Sequence, residues 1–282
     1  MISQLSGACI RAVLVVMMVL MPSLLLPETN PQISDAMVLL ALFAALFVIV
    51  EYGSTYPGLV EFRAAPPFNR VRFGMLVVTL LVIAITLRGQ SDATTLSRLF
   101  SAVGMLLGES MDFPLSPIRL IVWLMPEGTT LSEAYLIRAA AGLAYLVSLV
   151  ALTVFAILIR VRSWPSPTGS FNVWVNLPTF DPTTGADVVI RLKRDGAVNI
   201  LLGVLLPYVS PPIAVFVAQT YGISMIGSDL MTVWVIAIWA FLPASLFLRG
   251  IAMRRLALMI SKKRRRVDEA EAAAADPAFL PA

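Results

Sequence analysis

The side chains that could do acid–base chemistry are the carboxylates Glu51, Glu61, Asp181 and Asp187, and they are too scattered to be assigned as a pair. General acid–base catalysis needs titrating groups within hydrogen-bond reach of one reacting atom. Asp181, before Pro182, reads as a turn residue and Asp187 as a helix-start residue. The chain contains no histidine. That removes the imidazole base, the Ser-His pair, bis-histidine haem and histidine-ligated zinc, iron or copper. A single cysteine, Cys9, permits neither an intramolecular disulfide nor a cysteine metal cluster. There is no glycine-rich phosphate loop. The expectation is a protein without catalytic, cofactor-binding or metal-ligating residues.

Three other groups invite a functional reading. Pro207, Tyr208, Ser210, Pro211 and Pro212 fall inside an uncharged stretch, 197–228. A broken helix there would free carbonyls of the kind that transporters use to coordinate ions, whereas the plainer reading is a proline kink satisfied by neighbouring helices. Two proline-rich segments, 51–72 and 163–196, carry Tyr52, Tyr56, Arg63, Phe68, Arg70, Trp174, Arg191 and Arg194. Aromatic and arginine side chains together suggest a docking surface for a protein partner, against packing on lipid. Finally, Arg254, Arg255, Lys262, Lys263, Arg264, Arg265 and Arg266 suit anionic lipid head groups, each adding about 1 kcal/mol near a membrane surface.

These groups must be positioned by elements that suit a bilayer. Of 282 residues, 59% are hydrophobic and 13% charged, where soluble domains run nearer half apolar and a quarter charged. Residues 230–248 run without a charge, and about 20 apolar residues cross about 30 Å of hydrocarbon. Further apolar cores lie at 12–26, 36–50, 73–87, 139–159 and, interrupted by prolines, from 197. No small-x-small cleavage site follows the first core, so it reads as an uncleaved span rather than a signal peptide. Ala41 with Ala45, and Ala140 with Ala144 and Ser148, are small residues one turn apart, suited to close helix contact.

Between the third and fourth cores, residues 96–107 repeat apolar side chains at helical spacing, and 116–125 is apolar but too short to span. Both read as helices in the interface or as a re-entrant pair. Thr130 and Glu133 form a capping-box pattern. Residues 171–177 alternate as a strand would, 187–195 read as an amphipathic surface helix, and the tail after Arg266 reads as disordered.

Charge orients the chain. Arg11, three arginines in 51–72, five basic residues in 160–196 and eight after Leu248 would lie on one side, against Arg88, Arg98, Arg119 and Arg138 on the other. By the positive-inside rule the first group is cytoplasmic. The expected fold is an all-α integral membrane protein with six transmembrane helices and both termini cytoplasmic. Outer amphipathic helices would lie between spans 3 and 4, and a small inner strand/helix element between spans 4 and 5. The organisation divides as 1–87 (spans 1–3), 88–138 (outer region), 139–162 (span 4), 163–196 (inner element), 197–248 (kinked span 5 and span 6) and 249–282 (basic segment and tail). None of these span cores contains an Asp, Glu, Lys or Arg, which weighs against a proton-coupled mechanism. The functional expectation is a non-catalytic accessory, scaffold or assembly subunit of a bacterial inner-membrane complex. Its partners would be inner-leaflet anionic lipids and a protein, with no nucleic acid. The alternative is a permease-like transport component whose fifth span lines a path.

Overall fold

The computed structural model describes residues 2–26, 31–125, 128–162, 164–165, 171–180, 187–224 and 226–275. Among these the regular structure is entirely helical: α1 (Ile2–Leu25), α2 (Pro31–Gly53), α3 (Phe68–Arg88), α4 (Thr95–Ser110), α5 (Pro117–Val122), α6 (Leu131–Val161), α7 (Val173–Asn176), α8 (Val188–Tyr221) and α9 (Asp229–Ala275). Six of them, α1, α2, α3, α6, α8 and α9, are long and apolar enough to cross a membrane. This agrees with the six cores read from the sequence.

Helices α3, α6 and α9 pack on one another at the centre. The α1–α2 hairpin leans on them mainly through α1, α8 lies along α9, and α4 and α5 close one end against α6. Apolar burial falls into two clusters. One, at the α4–α5 end, gathers Leu87, Ile118, Ile121, Ile137 and Val233. The other, at the opposite end, gathers Phe62, Phe68, Phe155, Trp164 and Leu256.

Lipid is as apolar as leucine, so helices in a bilayer associate through close packing of small residues. Ala140, Ala144 and Ser148 are all buried, as their spacing predicts, and Ala41 is buried with Ala45 at its flank. The tightest contacts, however, use glycines. A β-carbon on Gly104 would lie 2.6 Å from the Ala139 carbonyl oxygen, and one on Gly142 would lie 2.8 Å from the Gly108 nitrogen. So α4 sits backbone to backbone on α6 and is not merely afloat in the interface. Gly196 and Gly250 interlock in the same way between α8 and α9, with a Gly250 β-carbon 2.7 Å from the Gly196 oxygen.

Several expectations are corrected. The strand read at 171–177 is a loop and one helical turn: the Asn172 side chain accepts the Val175 N–H at 3.3 Å, and among the described residues there is no strand to pair with. A lone strand leaves its backbone groups unmet. The amphipathic stretch 187–195 is not a separate surface helix. It forms the first turns of α8, with Val189 and Leu192 buried, because Gly196 is held against Gly250 and the helix runs on without a break. The helix α8 also continues through Pro207, Pro211 and Pro212, so span five is not broken. Similarly, the segment after Arg266 is helical as far as Ala275 rather than disordered, and exposed over 267–274; residues 276–282 lie outside the described residues. At 47 residues α9 is about 70 Å long, so about 40 Å of it extends beyond a 30 Å hydrocarbon layer. The turn read at 181–185 lies outside the described residues.

The capping box at Thr130 and Glu133 forms as expected, with the Glu133 carboxylate accepting the Thr130 N–H at 2.8 Å. A second box, Thr94 with Ser97, starts α4.

Candidate functional site

Segment 51–72 folds around two of its own side chains. The Glu51 carboxylate accepts the backbone N–H groups of Gly58, Leu59 and Val60 at 2.9–3.1 Å. Arg63 turns back to donate to the carbonyls of Glu51, Ser54 and Thr55 at 2.6, 2.7 and 3.0 Å. These are groups that the end of α2 leaves without helical partners. The two residues therefore hold the loop's shape, and Arg63 spends three of its five N–H donors inside the loop.

This loop and the segment before α8 dock on each other. The Phe62 N–H donates to the Asn176 carbonyl at 2.6 Å, and the Asn176 side chain accepts the Ala64 N–H at 2.9 Å. The Trp164 indole donates to the Ala65 carbonyl at 3.0 Å. Phe62, 0% exposed, sits at φ +52°. A phenylalanine tolerates this left-handed backbone only where the surroundings over-determine it. Here its ring is packed among Phe68, Trp164 and Phe171, with centroids 4.6, 5.4 and 6.4 Å away. The result is one interlocked cap over the end of the bundle.

Beside the cap, the α1–α2 hairpin and the bundle enclose a cleft of about 980 Å³. Its polar end carries Arg11, Tyr52, Glu61, Arg70, Arg72 and Arg249. Glu61, which the sequence left unpaired, meets Arg249 across 188 residues: Nε donates to Oε2 at 2.6 Å and Nη2 to Oε1 at 2.7 Å. Thr179 donates to the same carboxylate at 3.0 Å, and Arg249 also reaches Asn199 Oδ1 at 3.0 Å. Arg11 lies over the Tyr52 ring, 4.8 Å from its centroid. Arg72 lies between Phe68 and Phe241, 5.4 and 5.9 Å from their centroids, and its shielded Nε has no hydrogen-bond partner. Leu14, Met18, Phe47, Phe73 and Leu76 line the rest of the cleft.

Such an arrangement presents guanidinium groups next to an apolar wall. Among the described residues no three Asp, Glu or Cys side chains gather as metal ligands. The residues missed by sequence reasoning are Arg11, Glu61, Arg72 and Arg249. For the three arginines the available signal was their position directly beside apolar cores, whereas Glu61 lies in the middle of the loop between two of them.

The other predicted residues are dispersed. Tyr56 is 69% exposed and Arg70 is exposed, both on the cap side. Phe68 is wholly buried, so it packs and does not dock. Arg191 lies 4.5 Å from the Phe180 ring, and Arg194 points outward beside Asp195 at 3.3 Å. The Trp174 side chain lies outside the described residues. In the proline segment, Pro211 lacks the N–H that would meet the Pro207 carbonyl, and the Trp239 indole donates to that oxygen at 3.3 Å instead. Ser210 donates to Leu206 at 2.7 Å, and Tyr208 and Pro212 face outward. The carbonyl freed by the proline is thus met by a neighbouring helix. Two crevices of about 230 Å³ flank it.

On the extended α9, Arg254 and residues 262–266 are exposed and Arg255 is half-buried, donating to the Trp164 carbonyl at 3.3 Å. Arg264 pairs with Asp187 at the start of α8. The guanidinium hydrogen bond, then the Val189 N–H, hold the Asp187 carboxyl below the usual carboxylate range. At the far end, Asp112 pairs with Arg119 at 2.6 Å and Arg138 at 3.0 Å, and Asp92 with Arg88 at 3.3 Å. Three of the four arginines in 88–138 are thus paired locally, by two carboxylates.

The chain matches no protein-family model, no curated protein and no solved structure. Its six long apolar helices place it in the class of multi-pass membrane proteins.

Proposed function

We propose that this protein is a non-catalytic accessory or assembly subunit of a membrane complex in a bacterial inner membrane, with both chain ends and the cap on the cytoplasmic side. The observation that carries the reading is the cap: its polar groups are engaged in holding two segments in one shape, and it leaves Tyr56 and Leu59 exposed on a braced loop. Exposed aromatic and apolar anchors on a rigid support suit a protein partner. The orientation is supported by the basic residues flanking the cap-side ends of the spans, and by the pairing of Arg88, Arg119 and Arg138 with aspartates at the other end. The transport alternative asks the fifth span to line a path. The occupied Pro207 carbonyl and the outward face of α8, with Val204, Tyr208 and Phe216 exposed, weigh against it.

The test is native co-purification through a tag after Ala282, in a mild detergent, with stoichiometry read by mass spectrometry. The expected result is a fixed companion whose recovery falls at least tenfold when Tyr56 and Leu59 are both replaced by serine in a protein that remains inserted. Isolation of the chain alone, or recovery unchanged in that variant, overturns the reading. An ATPase companion would favour the transport alternative.

A further inference from the structure

We infer that the cleft between the α1–α2 hairpin and the bundle is a binding site for one anionic phospholipid, with the head group at Arg11, Arg70 and Arg72 and an acyl chain along the apolar wall. The charge balance favours an anion. Four guanidinium groups meet one carboxylate at this end, and Glu61 is committed to Arg249. Arg11, Arg70 and Arg72 form no ion pair among the described residues. The Arg72 Nε is shielded from solvent without an acceptor. A shielded donor left in that state is costly. A phosphodiester answers both deficits, because a guanidinium binds phosphate oxygens through two parallel N–H groups.

The walls select a lipid over a free phosphate. A site for an inorganic ion needs no apolar lining, whereas here Leu14, Met18, Phe47, Phe73 and Leu76 continue from the arginines. The cleft, at about 980 Å³, lies at the upper end of the roughly 300–1,000 Å³ typical of ligand sites, which accommodates a head group and part of a chain. Its location suits this as well: the walls come from spans, and the arginines sit at span ends, where head groups lie. The α1–α2 hairpin touches the bundle mainly through α1, so a lipid in the cleft would fill the seam that the hairpin leaves. The inference rests on the chain crossing a membrane and is independent of whether it has a protein partner.

The experiment is native mass spectrometry of the full chain, purified in mild detergent and titrated with phosphatidylglycerol, phosphatidylcholine or inorganic phosphate. The expected result is one phosphatidylglycerol retained at least tenfold more strongly than phosphatidylcholine, with no displacement by millimolar phosphate. Arg72→Gln should reduce that preference about tenfold. Arg70→Gln, at the exposed mouth, should reduce it about threefold and serves if the Arg72 variant fails to fold. Arg98→Gln, exposed on α4 at the opposite end of the bundle, should leave it unchanged. Equal retention of both lipids, full retention in Arg70→Gln, or loss in Arg98→Gln equal to that in Arg72→Gln would overturn the site. Displacement by phosphate would assign the arginines to a soluble anion instead.

Discussion

Replacing Glu61 by glutamine keeps the shape of the side chain and removes one charge from the contact that ties the 51–72 loop to α9. Glu61 takes two charge-assisted bonds from Arg249 at 2.6 and 2.7 Å. Its side chain is 10% exposed against 31% for the guanidinium. Removing one partner of a fully buried pair costs about 3–5 kcal/mol. With the arginine almost one-third exposed, water recovers part of that, and the expected loss is about 2–3 kcal/mol, or about 30- to 150-fold in the folding equilibrium. The glutamine amide would also turn a donor towards a donor, or leave only one acceptor. A double replacement, Glu61→Gln with Arg249→Gln, removes both charges and should recover about half of the loss. Unfolding by a denaturing detergent in mixed micelles, followed by circular dichroism, measures each variant. If Glu61→Gln unfolds within about 0.5 kcal/mol of the parent, or if the two single losses simply add, the pair does not hold the cap to α9 and the reasoning fails.

The same assay checks three further contacts. Trp239→Phe should cost about 1 kcal/mol by leaving the Pro207 carbonyl unmet; in a Pro211→Ala background, which restores a helical N–H to that oxygen, the cost should shrink towards zero. Gly250→Ala places a β-carbon 2.7 Å from the Gly196 oxygen and from Ile200 Cγ1, and since backbone cannot yield, α8 and α9 must separate at about 2 kcal/mol. The Asp187 carboxyl is held below its ordinary range in the folded chain, first by Arg264. Its contribution is therefore present above the usual carboxylate range and is lost as pH falls through the lowered value. Amide exchange in the first turn of α8 should accelerate in that acid window, and Asp187→Asn should remove the pH dependence there.

Features that depend on a few consecutive residues were legible in the chain. The Thr130–Glu133 box forms as its spacing predicts, and Ala140, Ala144 and Ser148 are buried along one face of α6. The misreadings occur where a distant partner changes a local preference. Residues 171–177 alternate like a strand, yet no strand accompanies them among the described residues, and Asn172 starts a helical turn. Gly196 looks like the end of a surface helix until Gly250 fills the space beside it. Arg63 and Phe68, plausible docking residues by type, are drawn into the loop and the core.

The sequence by itself determined that this chain has six helices fit to cross a bilayer. Hydrocarbon demands about 20 apolar residues in a row with every backbone group bonded internally, and that demand is met locally, span by span. Only the tertiary structure decided that Glu61 finds Arg249, that Phe62 is locked under Asn176, and that three arginines without carboxylates share one cleft. Those contacts join residues up to 188 positions apart. They follow from which helix packs against which, and that choice rests on glycine-sized backbone approaches rather than on hydrophobicity, to which the surrounding lipid is indifferent.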